Sequence, residues 1–88
     1  MKRVNALAAL LLCVFDAHQM QRMVHYLSPE AVYDIVPGQT PRSLARQCAY
    51  LILATTTPSQ VTNYIRQERP GANHPEVSQW LMIAAQNT

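Results

Sequence analysis

Four of the six prolines stand directly behind a residue suited to open a helix: Ser28-Pro29, Thr40-Pro41, Thr57-Pro58 and His74-Pro75. A Ser or Thr hydroxyl accepts one of the backbone N–H groups left free by a first helical turn. Proline at the next position has no N–H to leave unpaired, and its fixed φ already suits the helix. Thr57 followed by Gln60 adds the reciprocal capping box, and at the last start either Asn73 or His74 can cap. Pro37-Gly38 and Pro70-Gly71 supply stops. A chain punctuated in this way is confined to short helices.

Reading between the marks gives six helices. The first covers about Val4 to Val14, with Val4, Leu7, Ala8, Leu11 and Val14 as one stripe that Leu10, Leu12 and Phe15 widen. So apolar a helix belongs at the centre of a bundle. The second follows Asp16 as its cap and reaches Leu27, turning Met20, Met23, Val24 and Leu27 inward. The third is Pro29 to about Val36, with Val32, Ile35 and Val36 inward. The fourth, Pro41 to about Thr55, buries Leu44, Cys48, Leu51 and Ile52. The fifth, Pro58 to about Glu68, is anchored by Val61, Tyr64 and Ile65. The sixth, Pro75 to about Gln86, presents Val77, Trp80, Leu81 and Ala84 to the core. No stretch alternates with period two for long enough to make a strand, so the expectation is an all-α bundle forming a single domain over residues 1–88.

Composition narrows the function classes. Hydrophobic residues make up 49% of the chain, too many for a disordered segment, while charged residues make up only 14%, about half the usual share. Seven basic residues give a net charge of +2, but they are scattered from Lys2 to Arg69 without the dense run that phosphate binding needs, so no nucleic-acid partner is expected. Cys13 and Cys48 lie in apolar stretches and read as reduced core thiols, which points to the cytoplasm. Lys2 and Arg3 ahead of the apolar run to Phe15 imitate a signal peptide, but no small-x-small cleavage site follows. Cleavage there would also remove the most hydrophobic helix. The run is shorter than the ~20 residues a membrane span requires, so no membrane partner is expected.

Catalytic patterns are missing from the sequence. Two glycines, Gly38 and Gly71, cannot build a phosphate-cradling loop. There is no Cys-x-x-Cys. His18 and His25 share a helix face, but Arg22 lies between them and opposes a bound cation. Asp16, Glu30, Asp34, Glu68 and Glu76 form no interpretable acid–base pair. Cys48 falls on an inward face, where a thiol is inert. The expectation is a protein without enzymatic activity, cofactor or metal. Met20, Met23 and Trp80 are read as core rather than as a ligand groove.

The charges themselves are segregated. Asp16, Glu30 and Asp34 fall on the second and third helices, whereas Lys2, Arg3, Arg42 and Arg46 fall on the first and fourth. Two unlike, complementary patches on one molecule make a head-to-tail contact, which propagates into rings or filaments. Arg22, on the second helix, breaks the segregation.

The order of segments resembles a known family. An apolar first helix closes on Leu12-Cys13-Val14-Phe15, and an amphipathic segment runs from Met20 to Tyr26. Then come Ile35-Val36-Pro37-Gly38-Gln39-Thr40, Ala45 to Leu53, Val61 to Arg69, and Arg69-Pro70-Gly71-Ala72-Asn73 before the last helix. This is similar to the bacterial effector-associated domains, small modules akin to the animal death-fold adaptors. The turn Pro70-Gly71-Ala72-Asn73-His74-Pro75 departs from the family's more compact Pro-Gly-Asn-Pro form. The resemblance implies a six-helix death-fold-like bundle. It also implies homotypic association, with a copy on one protein recruiting a like domain fused to an effector in bacterial conflict or antiphage systems. No catalytic residues come with it. It further implies a contact in which the first and fourth helices of one subunit meet the second and third of its neighbour, the surfaces on which the basic and acidic sets fall. The alternative is a small helix-turn-helix DNA-binding regulator, with Pro58 to Arg69 as recognition helix and Gln60, Asn63, Arg66 and Gln67 outward.

Overall fold

The computed structural model describes residues 2–86, which form six helices and no strand among them: α1 (Lys2–Val14), α2 (Ala17–Leu27), a 3-10 helix (Pro29–Asp34), α3 (Pro41–Thr55), α4 (Pro58–Glu68) and α5 (Pro75–Ala85). The expected all-α bundle is what forms. The Cα radius of gyration is 11.7 Å, against about 12 Å for a compact domain of this length, so one core accounts for the packing.

The proline starts hold at Pro41, Pro58 and Pro75. Thr40 Oγ1 accepts from Ser43 N, and Thr57 and Gln60 close their capping box. His74 occupies the cap position before Pro75 without a side-chain bond. Asp16 caps α2 with a full box, its carboxylate accepting from Gln19 N at 2.8 Å while Gln19 Oε1 accepts from Asp16 N at 2.9 Å. Pro37-Gly38 turns with Gly38 at φ 77°, a conformation that glycine adopts without a Cβ clash.

Ser28 departs from expectation. Its hydroxyl is bonded to Thr55 Oγ1 across the bundle instead of capping, and the segment after it winds as a 3-10 helix that stops at Asp34. Without a side-chain cap, and with six residues, the tighter turn suffices.

Helix α1 is central. Ala6, Leu7, Ala8, Leu10, Leu11 and Val14 are buried, and the helix packs against α3 on one side and α5 on the other. Removing a Leu side chain from water stabilises the fold by about 1.5–3 kcal/mol, so Leu7, Leu10 and Leu11 make α1 the main contributor to the core. The stripe is narrower than the sequence suggests: Leu12 is 37% exposed and Cys13 is exposed, so Leu12 does not widen the stripe and Cys13 is not a core thiol. Val36 is likewise outside the core, at 56% exposure, because the 3-10 helix has already ended.

Helix α2 packs on α3 and on the 3-10 helix, inserting Met20, Met23 and Val24. Helix α5 runs antiparallel to α1: Arg3 Nη2 donates to Gln86 O at one end, and Glu76 lies near Cys13 at the other. Helices α4 and α5 touch sparingly along their backbones, and side chains join them. Buried Trp80 donates its indole N–H to Thr62 Oγ1 at 3.0 Å, and that hydroxyl donates to Pro58 O at 2.9 Å. Arg69 ties α4 to α1 by donating Nε–H to Val14 O at 3.0 Å, one of the carbonyls that a helix end leaves unpaired, while its guanidinium lies 5.3 Å from the Phe15 ring centroid. No buried side-chain polar atom among the described residues lacks a partner.

Candidate protein-interaction surfaces

The acidic set divides in two. Glu30 and Asp34 open and close the 3-10 helix and are exposed. Tyr33, between them in the chain, is 89% exposed, and Val36, two residues past Asp34, is 56% exposed, so an aromatic ring and an aliphatic side chain stand out beside two carboxylates. Asp16 sits at the opposite end of α2, roughly 16 Å away along an 11-residue helix, where its carboxylate is engaged as the cap.

The acidic projection is held in place by glutamines. Gln47 of α3 donates Nε2–H to Asp34 O at 2.7 Å and accepts from Val36 N at 3.0 Å. Gln39 Nε2 donates to Gln47 Oε1 and to Val36 O, while Ser43 Oγ donates to Gln39 Oε1. Ser43 and Gln47 stand four residues apart on one line of α3, and Gln39, just before the helix cap, bonds to both.

The basic set gathers around the N-terminal turn of α1 and the first half of α3. Arg46 Nη1 donates to Asn5 Oδ1 at 2.8 Å across the α1–α3 seam. Asn5 and Lys2 both line the groove on the other side of α1, facing α5. Arg3 donates to the carbonyl of Gln86, the residue that caps α5, and Arg42 is exposed one turn before Arg46. The four cations therefore divide between the α1–α3 seam and the α1–α5 side of the bundle.

The remaining candidates stay as isolated groups. His18 and His25 are exposed, and no cluster of three metal-ligating side chains occurs among the described residues. Burial pushes the Cys48 thiol up to about 11. Cys13, though exposed, is also raised, first by partial desolvation and then by its hydrogen bond to the Glu76 carboxylate and repulsion from it. Neither thiol ionises readily near neutrality. Tyr64 is raised, chiefly by burial and then by Glu68. Its ring packs 6.3 Å edge-on to Phe15 and 5.4 Å from Tyr26. Gln60, offered above as a DNA-reading side chain, is occupied by its cap, accepting from Thr57 N at 2.9 Å. Helices α3 and α4 are joined by Thr56 and Thr57 and do not pack along one another. No described helix is long and apolar enough to cross a membrane.

Comparison with protein-family models, with curated proteins and with solved structures gives no match.

Proposed function

We propose that this chain is a non-catalytic protein-interaction module of the effector-associated, death-like kind. On this reading it acts in the cytoplasm, binding copies of itself or a like domain on an effector and clustering those effectors in a bacterial conflict system. One observation carries the reading: the exposed Tyr33 between Glu30 and Asp34 and the exposed Val36 just beyond them, set against the basic Lys2, Arg3, Arg42 and Arg46 on α1 and α3. An exposed charge pair alone is worth at most about 1 kcal/mol. A tyrosine and a valine withdrawn from water at the same contact supply the apolar centre that gives an interface its affinity, while the surrounding charges set orientation and partner choice.

The two faces differ, so association is head-to-tail. The test mixes two variants. Arg46→Glu keeps an intact acidic face, and Asp34→Ala keeps an intact basic one without creating a charge-swapped partner for the first variant. Each alone is expected to lose self-association, and an equimolar mixture is expected to form a discrete heterodimer, because the one remaining pair of complementary faces cannot propagate. Light scattering reads the result. A mixture that stays monomeric while the wild type assembles would refute the pairing of these faces.

A further inference from the structure

Helix α5 carries more apolar side chains than it buries. Of Val77, Trp80, Leu81, Met82, Ile83, Ala84 and Ala85, only Trp80 is buried, and Met82 is 67% exposed. From Val77 to Gln86 there is no charged residue. Ser78, Met82 and Ala85 fall on one line at helical spacing, all exposed, and form the crest of a ridge. On one side of the ridge lies a groove of about 400 Å3 against α1, lined by Lys2, Ala6, Ala9, Glu76, Gln79 and Ile83. Its floor is made of alanines, so a protruding side chain has room to enter.

The groove is electrically polar along its length. Because α1 and α5 are antiparallel, Lys2 stands at the end marked by Gln86 and Glu76 at the end beside Cys13. The two charges are separated by about 15 Å, the rise of α5 from residue 76 to 86. We infer that this ridge and groove are the contact surface for a second copy of the same chain, related by a two-fold axis across the middle of α5. Such an axis reverses the groove, so Lys2 of each copy meets Glu76 of the other while each Met82 enters the other's alanine-floored groove. A surface that is positive at one end, negative at the other and uncharged between is complementary to itself only in this antiparallel arrangement. The contact shares Lys2 with the basic set but is otherwise built from the α1–α5 groove, and it is isologous where the head-to-tail one is heterologous, so it closes a pair.

Sedimentation equilibrium from micromolar to millimolar concentration is the measurement, made in the Arg46→Glu background so that head-to-tail assembly does not contribute. A monomer–dimer equilibrium is expected there. Met82→Glu is expected to weaken it roughly tenfold or more, the loss typical of one interface anchor. Gln79→Arg, at an exposed position in the same groove, is expected to act in the same direction, and helix content by circular dichroism shows whether either variant folds. Lys2→Glu and Glu76→Lys are each expected to weaken the dimer, and the double variant to restore it. At about 15 Å within one chain the two charges lie beyond the ~8–10 Å screening length, so rescue reports contact between copies. A protein that remains monomeric over the whole range overturns the inference. So does a dimer indifferent to both Met82→Glu and Gln79→Arg, or a double variant no better than its parents.

Discussion

Replacing Gln47 by Ala separates the architecture of the acidic face from the core. The side chain holds Asp34 O, Val36 N and the Gln39 amide together, and all three contacts are lost at once. A hydrogen bond contributes about 0.5–1.5 kcal/mol net, but the backbone partners here are near the surface and can turn to water. The low end of that range therefore applies, and the sum is about 1–2 kcal/mol. For a domain of this size, that is a fall in melting temperature of about 4–15 °C. The core residues of α3 (Leu44, Ala45, Cys48, Ala49 and Ile52) are untouched, so the folded bundle persists. The local effect is the sharper one: with its acceptor gone, the Val36 amide should exchange with solvent ~5–30-fold faster, the same 1–2 kcal/mol expressed as an opening equilibrium. Gln47→Glu is the control. It keeps an acceptor for Val36 N but sets a carboxylate against Asp34 O, and is expected to be no better than Gln47→Ala. Hydrogen exchange by NMR, with a thermal melt on the same samples, tests this. Unchanged protection at Val36 and an unchanged melt would show that the glutamine does not hold the segment.

Two further outcomes follow from the core. Thr62→Val keeps the side-chain shape but strands the buried Trp80 indole N–H, which should cost about 1–3 kcal/mol in urea unfolding. In a double-mutant cycle with Trp80→Phe the two costs should be less than additive, and strict additivity would mean that the bond contributes nothing. The Cys48 thiol, held at about 11 by burial against an ordinary 9.0, ionises in the unfolded chain before it does so in the fold. Its contribution to stability is complete below pH 9 and is lost as the pH rises towards 11. The melting temperature should fall over that window, and Cys48→Ala should flatten the fall. An identical alkaline slope in the variant would assign the effect to other groups.

Local chemistry announced most of the fold. A capping residue and the proline behind it act within one turn, so Thr40-Pro41 and Thr57-Pro58 were readable without tertiary knowledge. The failures lie where distant partners decide. Ser28 looks like a cap until Thr55, 27 residues away, engages its hydroxyl. In α1 the apolar residues run nearly all the way round, so periodicity could not say which face is out. Asn5 was the available clue, since Ala9, Leu12 and Cys13 follow it at helical intervals and all of them are exposed. The charges of the candidate faces were legible, but their apolar centre was not. Val36 read as an inward residue of a helix continuing that far, and the end of the 3-10 helix at Asp34 leaves it in solvent, beside a Tyr33 that the helix itself turns outward. The glutamine brace on that segment likewise joins residues 34 and 47, brought together by the fold.

The bond between Arg3 and Gln86 has a consequence for any polypeptide of which this bundle forms a part. The chain enters and leaves the bundle at one end, with residues 3 and 86 bridged by the Arg3 side chain. Segments attached before and after it emerge at the same end, their roots no further apart than the reach of one arginine side chain, whatever their length. A bundle whose two ends lie so near each other can be set into a loop of a host protein at a small cost in loop-closure entropy, and every copy added to an assembly brings both of its neighbouring segments to the same end of the bundle.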